Sequence, residues 1–125
     1  MTGAERMKNM KLTDVGQIIG SRSLTLDGES KVEVLVGLPQ KLSETEFEYF
    51  CPYQVTGLAF EGVRYAIGPD ALKALQYTLE RIGVELYTSV EAKTGRLVWN
   101  YGVVEGDLGF PVMDNVRDML PKGLR

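Results

Sequence analysis

Cys51 carries the most reactive atom in the chain, the sulfur of its single cysteine. A thiolate nucleophile needs a neighbouring base or cation to lower its pKa. The sequence contains no histidine, and nothing beside Cys51-Pro52-Tyr53 is cationic. Cys51 therefore reads as a small buried hydrophobe at the start of a strand. The missing histidine also excludes Ser-His-Asp and Cys-His catalysis and any His-ligated metal. One cysteine excludes an internal disulfide and a thiolate zinc cluster.

Carboxylates remain as candidates for acid–base work, because paired Asp or Glu can perform it without histidine. Glu61, Glu85, Asp107, Asp114 and Asp118 are available, but their spacing puts no two on one face beside a cleft. An oxygen-ligated metal would need a similar cluster, so neither a metal nor a cofactor is expected. A ligand site built from Glu61, Arg64 and Asp107 at the hairpin ends is the enzyme-like alternative. Asp107 lies in Glu105-Gly106-Asp107-Leu108-Gly109, where the glycines suit either close approach to a ligand or a plain turn. The glycine patterns of phosphate-binding loops do not occur. A net charge of -3 with scattered Lys and Arg gives no basic patch for nucleic acid.

Two features point instead to a partner surface. Glu44, Glu46 and Glu48 alternate along the connector 40–50, as an acidic face on an edge strand or as a solvated loop. The aromatics Tyr49, Phe50, Tyr53, Phe60, Tyr65, Trp99 and Tyr101 are dense for 125 residues. If a helix covers one sheet face, alternation sends some of them, with Tyr53, Tyr65, Trp99 and Tyr101 foremost, to the other. There they form an exposed binding patch or are covered by the C-terminal tail.

The element that must organise these residues is a helix over about 69–87. Leu72, Leu75, Leu79, Ile82 and Leu86 make one apolar stripe, flanked by Ala71, Ala74 and Thr78, with Lys73, Gln76, Glu80 and Arg81 toward water. Pro69 suits the first helical position, and Asp70 the positive end of the dipole. Before the helix, Leu12–Gly37 reads as a hairpin turning at Asp27-Gly28, a pair tolerant of positive φ. A second hairpin follows, with strands at about 53–60 and 63–67 and its turn at Glu61-Gly62. After the helix, 87–95 reads as polar and ends in a turn. Arg96–Tyr101 reads as a fifth strand, and Val112, Val116, Met119 and Leu120 as a short amphipathic helix halted by Pro121. Residues 1–11 read as a flexible terminus and 12–125 as one domain. With no secretory signal and no long apolar run, a soluble cytosolic protein is expected, off the membrane.

The stretch Cys51-Pro52-Tyr53-Gln54-Val55-Thr56-Gly57, the helix opening Asp70-Ala71-Leu72-Lys73-Ala74-Leu75 and the late Asp107-Leu108-Gly109-Phe110-Pro111 resemble, in that order, a family of small bacterial proteins of unknown function. The similarity spans roughly residues 18 to 112. It implies a bacterial cytosolic protein and brings no activity, substrate or catalytic residue with it.

The expected architecture is α+β: an antiparallel sheet of about five strands with the helix across one face. The leading functional expectation is a non-enzymatic domain that binds another protein through an aromatic or acidic surface, as small acidic bacterial immunity proteins do in neutralising a toxin. The alternatives are the small-ligand or carboxylate enzyme at Glu61, Arg64 and Asp107, and a structural homodimer.

Overall fold

Asp27 and Gly28 both take positive φ, 55° and 75°, and turn β1 (Ile18–Leu26) back into β2 (Ser30–Gly37). Arg96 reaches across to grip the turn, its Nε and Nη2 donating to the Asp27 carboxylate at 2.8 and 2.9 Å. This bidentate bond holds the Asp27 carboxyl below its ordinary range. The computed structural model describes residues 12–42, 48–118, 120 and 123. The expectations for 1–11, Glu44, Glu46, Met119 and Pro121 lie outside the described residues.

The remaining elements are β3 (Gln40–Lys41), β4 (Tyr49–Thr56), β5 (Arg64–Gly68), α1 (Ala71–Tyr87), α2 (Val90–Lys93), β6 (Leu97–Val98) and α3 (Asp114–Arg117). All strand pairings are antiparallel: β1 with β2 and β6, β4 with β2, β3 and β5. The fold is therefore α+β, with one mixed-length antiparallel sheet and one main helix. β2 and β3 run along the same side of β4, since β5 occupies the other. Val36 faces Tyr53 while Gln40 faces Phe50, so four steps on one strand match three on the other. That extra residue is a bulge, and it is where Pro39 and Pro52 lie, two residues unable to donate to a ladder.

Cross-strand partners share a face. Leu24, Arg22 and Gly20 of β1 sit opposite Val32, Val34 and Val36. The latter two sit opposite Val55 and Tyr53, and Tyr53 and Cys51 face Arg64 and Ala66. This is the face α1 covers, and its buried side chains form the main core with Ile82, Leu86, Tyr87, Leu97, Leu108 and Leu120. On the reverse face Leu42 and Phe50 make a smaller core with Leu12 and Tyr65.

Several sequence expectations need correction. The second hairpin begins at Tyr49 rather than 53, and residues 57–63 form its loop in place of a tight Glu61-Gly62 turn. β6 has only two residues of the strand expected over 96–101, and the stretch after α1 contains the turn of helix α2. The C-terminal helix is reduced to four residues, still anchored by buried Val116. Asp70, not Pro69, starts α1: it is the N-cap, its carboxylate accepting from the Lys73 amide at 2.7 Å.

The largest correction concerns which side of α1 is buried. Ala74, Thr78, Ile82, Gly83, Leu86 and Tyr87 are buried, whereas Leu72 is 79% exposed. The small residues win because the helix lies almost on the backbone of β5. A methyl on Gly68 would come within 2.5 Å of the Ala74 amide nitrogen. Thr78 then drops into the sheet and donates to the Cys51 carbonyl at 3.2 Å. Held this close over β4 and β5, α1 turns Leu75 and Leu79 sideways toward β1, where both are half-buried.

Candidate functional site

The three residues of the enzyme-like alternative are not brought together. Glu61 is absorbed by its own loop, its carboxylate accepting from the Gly57 amide at 2.6 Å and its carbonyl from the Gln54 side chain at 2.7 Å. Asp107 spends both oxygens on backbone amides, those of Val103 at 3.0 Å and Gly109 at 2.8 Å. It shapes the loop as an Asx turn does. Arg64 lines a cavity of about 330 Å³, beside Phe60, Glu85 and Val90, and Asp107 lines a separate one of about 680 Å³ with Trp99 and Val104. Its guanidinium is committed to Glu85 at 2.7 Å and lies over the rings of Phe60 and Tyr53.

The residues expected to form an aromatic patch are also dispersed. Tyr53 is fully buried and donates its hydroxyl to the same Glu85 oxygen at 2.8 Å. Burial, first, and that carboxylate push its phenol far above the usual tyrosine range. Tyr53 therefore cannot touch a partner. Tyr65 is half-buried in the reverse-face core. Glu48 is half-buried, with its carbonyl accepting from the Leu42 amide at 2.8 Å. Trp99 is half-buried too; Tyr101, edge-on to it at 6.0 Å, stands out at 80% exposure, and Phe60, under the Arg64 guanidinium, is 59% exposed. Cys51 is buried, its thiol pushed up by desolvation and donating to the Gly37 carbonyl at 3.4 Å.

The Asp107–Pro111 segment is a clamp rather than a catalytic loop. Tyr87, at the end of α1, accepts from the Leu108 amide at 3.0 Å and donates to the Phe110 carbonyl at 3.4 Å. Its phenol is likewise raised by burial. Gly83 gives the segment room, because a methyl there would strike the Pro111 carbonyl. Gly109 has a φ of 78°, and its space is taken by the Trp99 ring and the Arg22 guanidinium.

Arg22 is the functional candidate that sequence reasoning missed. It sits on β1 with its guanidinium 4.1 Å from the Trp99 ring centroid and 4.7 Å from that of Phe110. Its Nη1 donates to the Gly109 carbonyl at 2.8 Å and, more weakly, to Leu108 at 3.4 Å. The other described arginines, Arg64, Arg81, Arg96 and Arg117, each lie within 4 Å of a carboxylate. Arg22 forms no such pair among the described residues. The only hint in the sequence was an Arg inside the Ile18–Leu26 strand.

Arg22 forms one wall of a groove of about 200 Å³. The floor is Val34 and Val36 of β2, and the sides are Ile19, Phe110 and the displaced Leu75 and Leu79. A methyl on Gly20 would meet nothing within 4 Å, so the groove is open toward β1. The outer edge of β1 is open as well. β6 pairs only with Thr25 and Leu26, and among the described residues no strand pairs with 18–23 on that side. Ile18 and Ile19 are 50% and 44% exposed.

Among the described residues, no helix is long and apolar enough to cross a membrane. No match was found among curated proteins or among solved structures. A family model does match residues 20–112, most of the chain and all but the first two residues of the sheet together with α1. The chain belongs to that family, described as a domain of unknown function, DUF6968.

Proposed function

We propose that this domain is a non-enzymatic protein-binding module that accepts an extended segment along the free edge of β1. One observation carries the reading: residues 18–23 offer an unpaired strand edge directly beside an apolar groove. An edge of this kind is a template for main-chain pairing, and a pocket alongside it selects side chains. The groove is smaller than the roughly 300–1,000 Å³ typical of small-ligand sites. It suits one or two apolar side chains. Of the carboxylates with acid–base potential, Glu61 and Asp107 are occupied by bonds that shape their loops, and Glu85 Oε1 is taken by Tyr53 and Arg64.

Selection from a library of random hexapeptides displayed with free carboxyl ends tests this. Enriched peptides are expected to lose binding on Ile19→Glu, at the groove rim, and to keep it on Val98→Glu, at the exposed edge strand β6. Peptides that ignore Ile19→Glu but fail on Tyr101→Ala would move the site to the loop after β6 and overturn the β1 assignment. A library that yields no binder overturns the reading.

A further inference from the structure

We infer that the segment taken up by this groove is the carboxyl end of a polypeptide, its terminal carboxylate held by Arg22 and its last apolar side chain in the pocket over Gly20. The inference rests on the binding reading above. It starts from Arg22, whose guanidinium is flanked by two aromatic rings and has no carboxylate partner among the described residues. Among the described residues only Nη1 is engaged, and only with neutral carbonyls. The donors on Nε and Nη2 remain, in the fork arrangement that suits a carboxylate. A guanidinium half withdrawn from water with no counter-charge gains more from an incoming anion than an exposed one does.

The course of the chain says which anion fits. A strand laid along residues 18–22 cannot continue past Arg22, because β6 holds Thr25 and Leu26 and Trp99 follows at once. A segment ending there fits this blocked edge better than one passing through. Of the two chain ends, the guanidinium attracts the carboxylate and repels the ammonium. The added strand therefore enters at Ile18 and ends at Arg22, parallel to β1. Gly20 lies between these points with open space above it, so a neighbouring side chain can lean across onto Val34, Val36, Leu75 and Leu79.

Peptides enriched in the library selection are synthesised as free acids and as carboxamides, and titrated against the full chain. The chain's single tryptophan, stacked on Arg22, reports the event through its emission. The free acids are expected to bind at least about tenfold more tightly than their amides, about 1.4 kcal/mol, to end in an apolar residue and to shift Trp99 fluorescence. Arg22→Gln should erase the acid–amide difference. Because Arg22 also braces the 108–110 segment, its variant is checked by thermal unfolding, while the acid–amide comparison on the unaltered protein stands alone. Equal affinity of acid and amide overturns the carboxylate assignment and leaves the binding reading intact. No peptide binding in either form overturns both. An Ile19→Glu-sensitive dimer in sedimentation would make a second copy the occupant and overturn this inference.

Discussion

The Arg22 guanidinium lies 4.1 Å from the centroid of the Trp99 ring, and both press on the bare α-carbon of Gly109. A methyl at that position would sit 2.5 Å from the ring and 2.6 Å from Arg22 Nη1, on a backbone with φ of 78°. This contact ties β1 to the segment that closes over α1, so it joins the sheet edge to the rest of the core.

Gly109→Ala is expected to destabilise the fold by about 3 kcal/mol, combining the left-handed backbone penalty with overpacking. Urea unfolding followed by Trp99 emission should show a lower midpoint with an unchanged slope. A midpoint equal to that of the parent would mean that Arg22 and Trp99 do not hold this packing.

Two substitutions on α1 separate the buried face from the leucine stripe. Ile82→Ala should cost about 2–5 kcal/mol, because Ile82 is fully buried. Leu72→Gln should change stability by no more than about 0.5 kcal/mol, since Leu72 is largely in solvent. Similar losses from both would place the stripe, not the small face, on the sheet.

Alkaline stability depends on two buried phenols. Tyr53 and Tyr87 have folded-state pKa values raised chiefly by desolvation, whereas an unfolded tyrosine ionises near pH 10. Protons are therefore held more tightly in the folded state. The stabilisation is complete below about pH 10 and is lost as pH rises above it. Phenolate absorbance should appear together with unfolding. Tyr53→Phe should flatten the alkaline limb while lowering stability at neutral pH by about 1 kcal/mol, through the lost bond to Glu85. An alkaline limb unchanged in Tyr53→Phe and in Tyr87→Phe would refute this.

Cys51 should be inert in the folded protein. It is fully buried and its thiol is shifted up by burial, so reagents reach it only when the sheet and α1 separate. Labelling in native buffer should be slower than in denaturant by on the order of a thousandfold or more, given typical opening free energies. Labelling at comparable rates would show that α1 leaves β4 readily.

Much of the framework is legible in the residue pattern alone. Asp27-Gly28 demands a tight reversal because both residues tolerate positive φ, and the apolar period over 72–86 demands a helix. Alternation in Val32, Val34 and Val36 demands a strand with one buried face. These are local consequences of backbone sterics and side-chain period, so the α+β architecture follows from them. What the local pattern could not decide is how close α1 would come to the sheet. That distance is set across the chain by Gly68 beneath Ala74. It pulls the small face down and leaves Leu75 and Leu79 as the wall of a groove. The burial of Tyr53, the separation of Arg64 from Asp107 and the pairing of Arg22 with Trp99 depend in the same way on contacts between residues far apart in sequence. Spacing along the chain says nothing about those contacts; only the packed structure does.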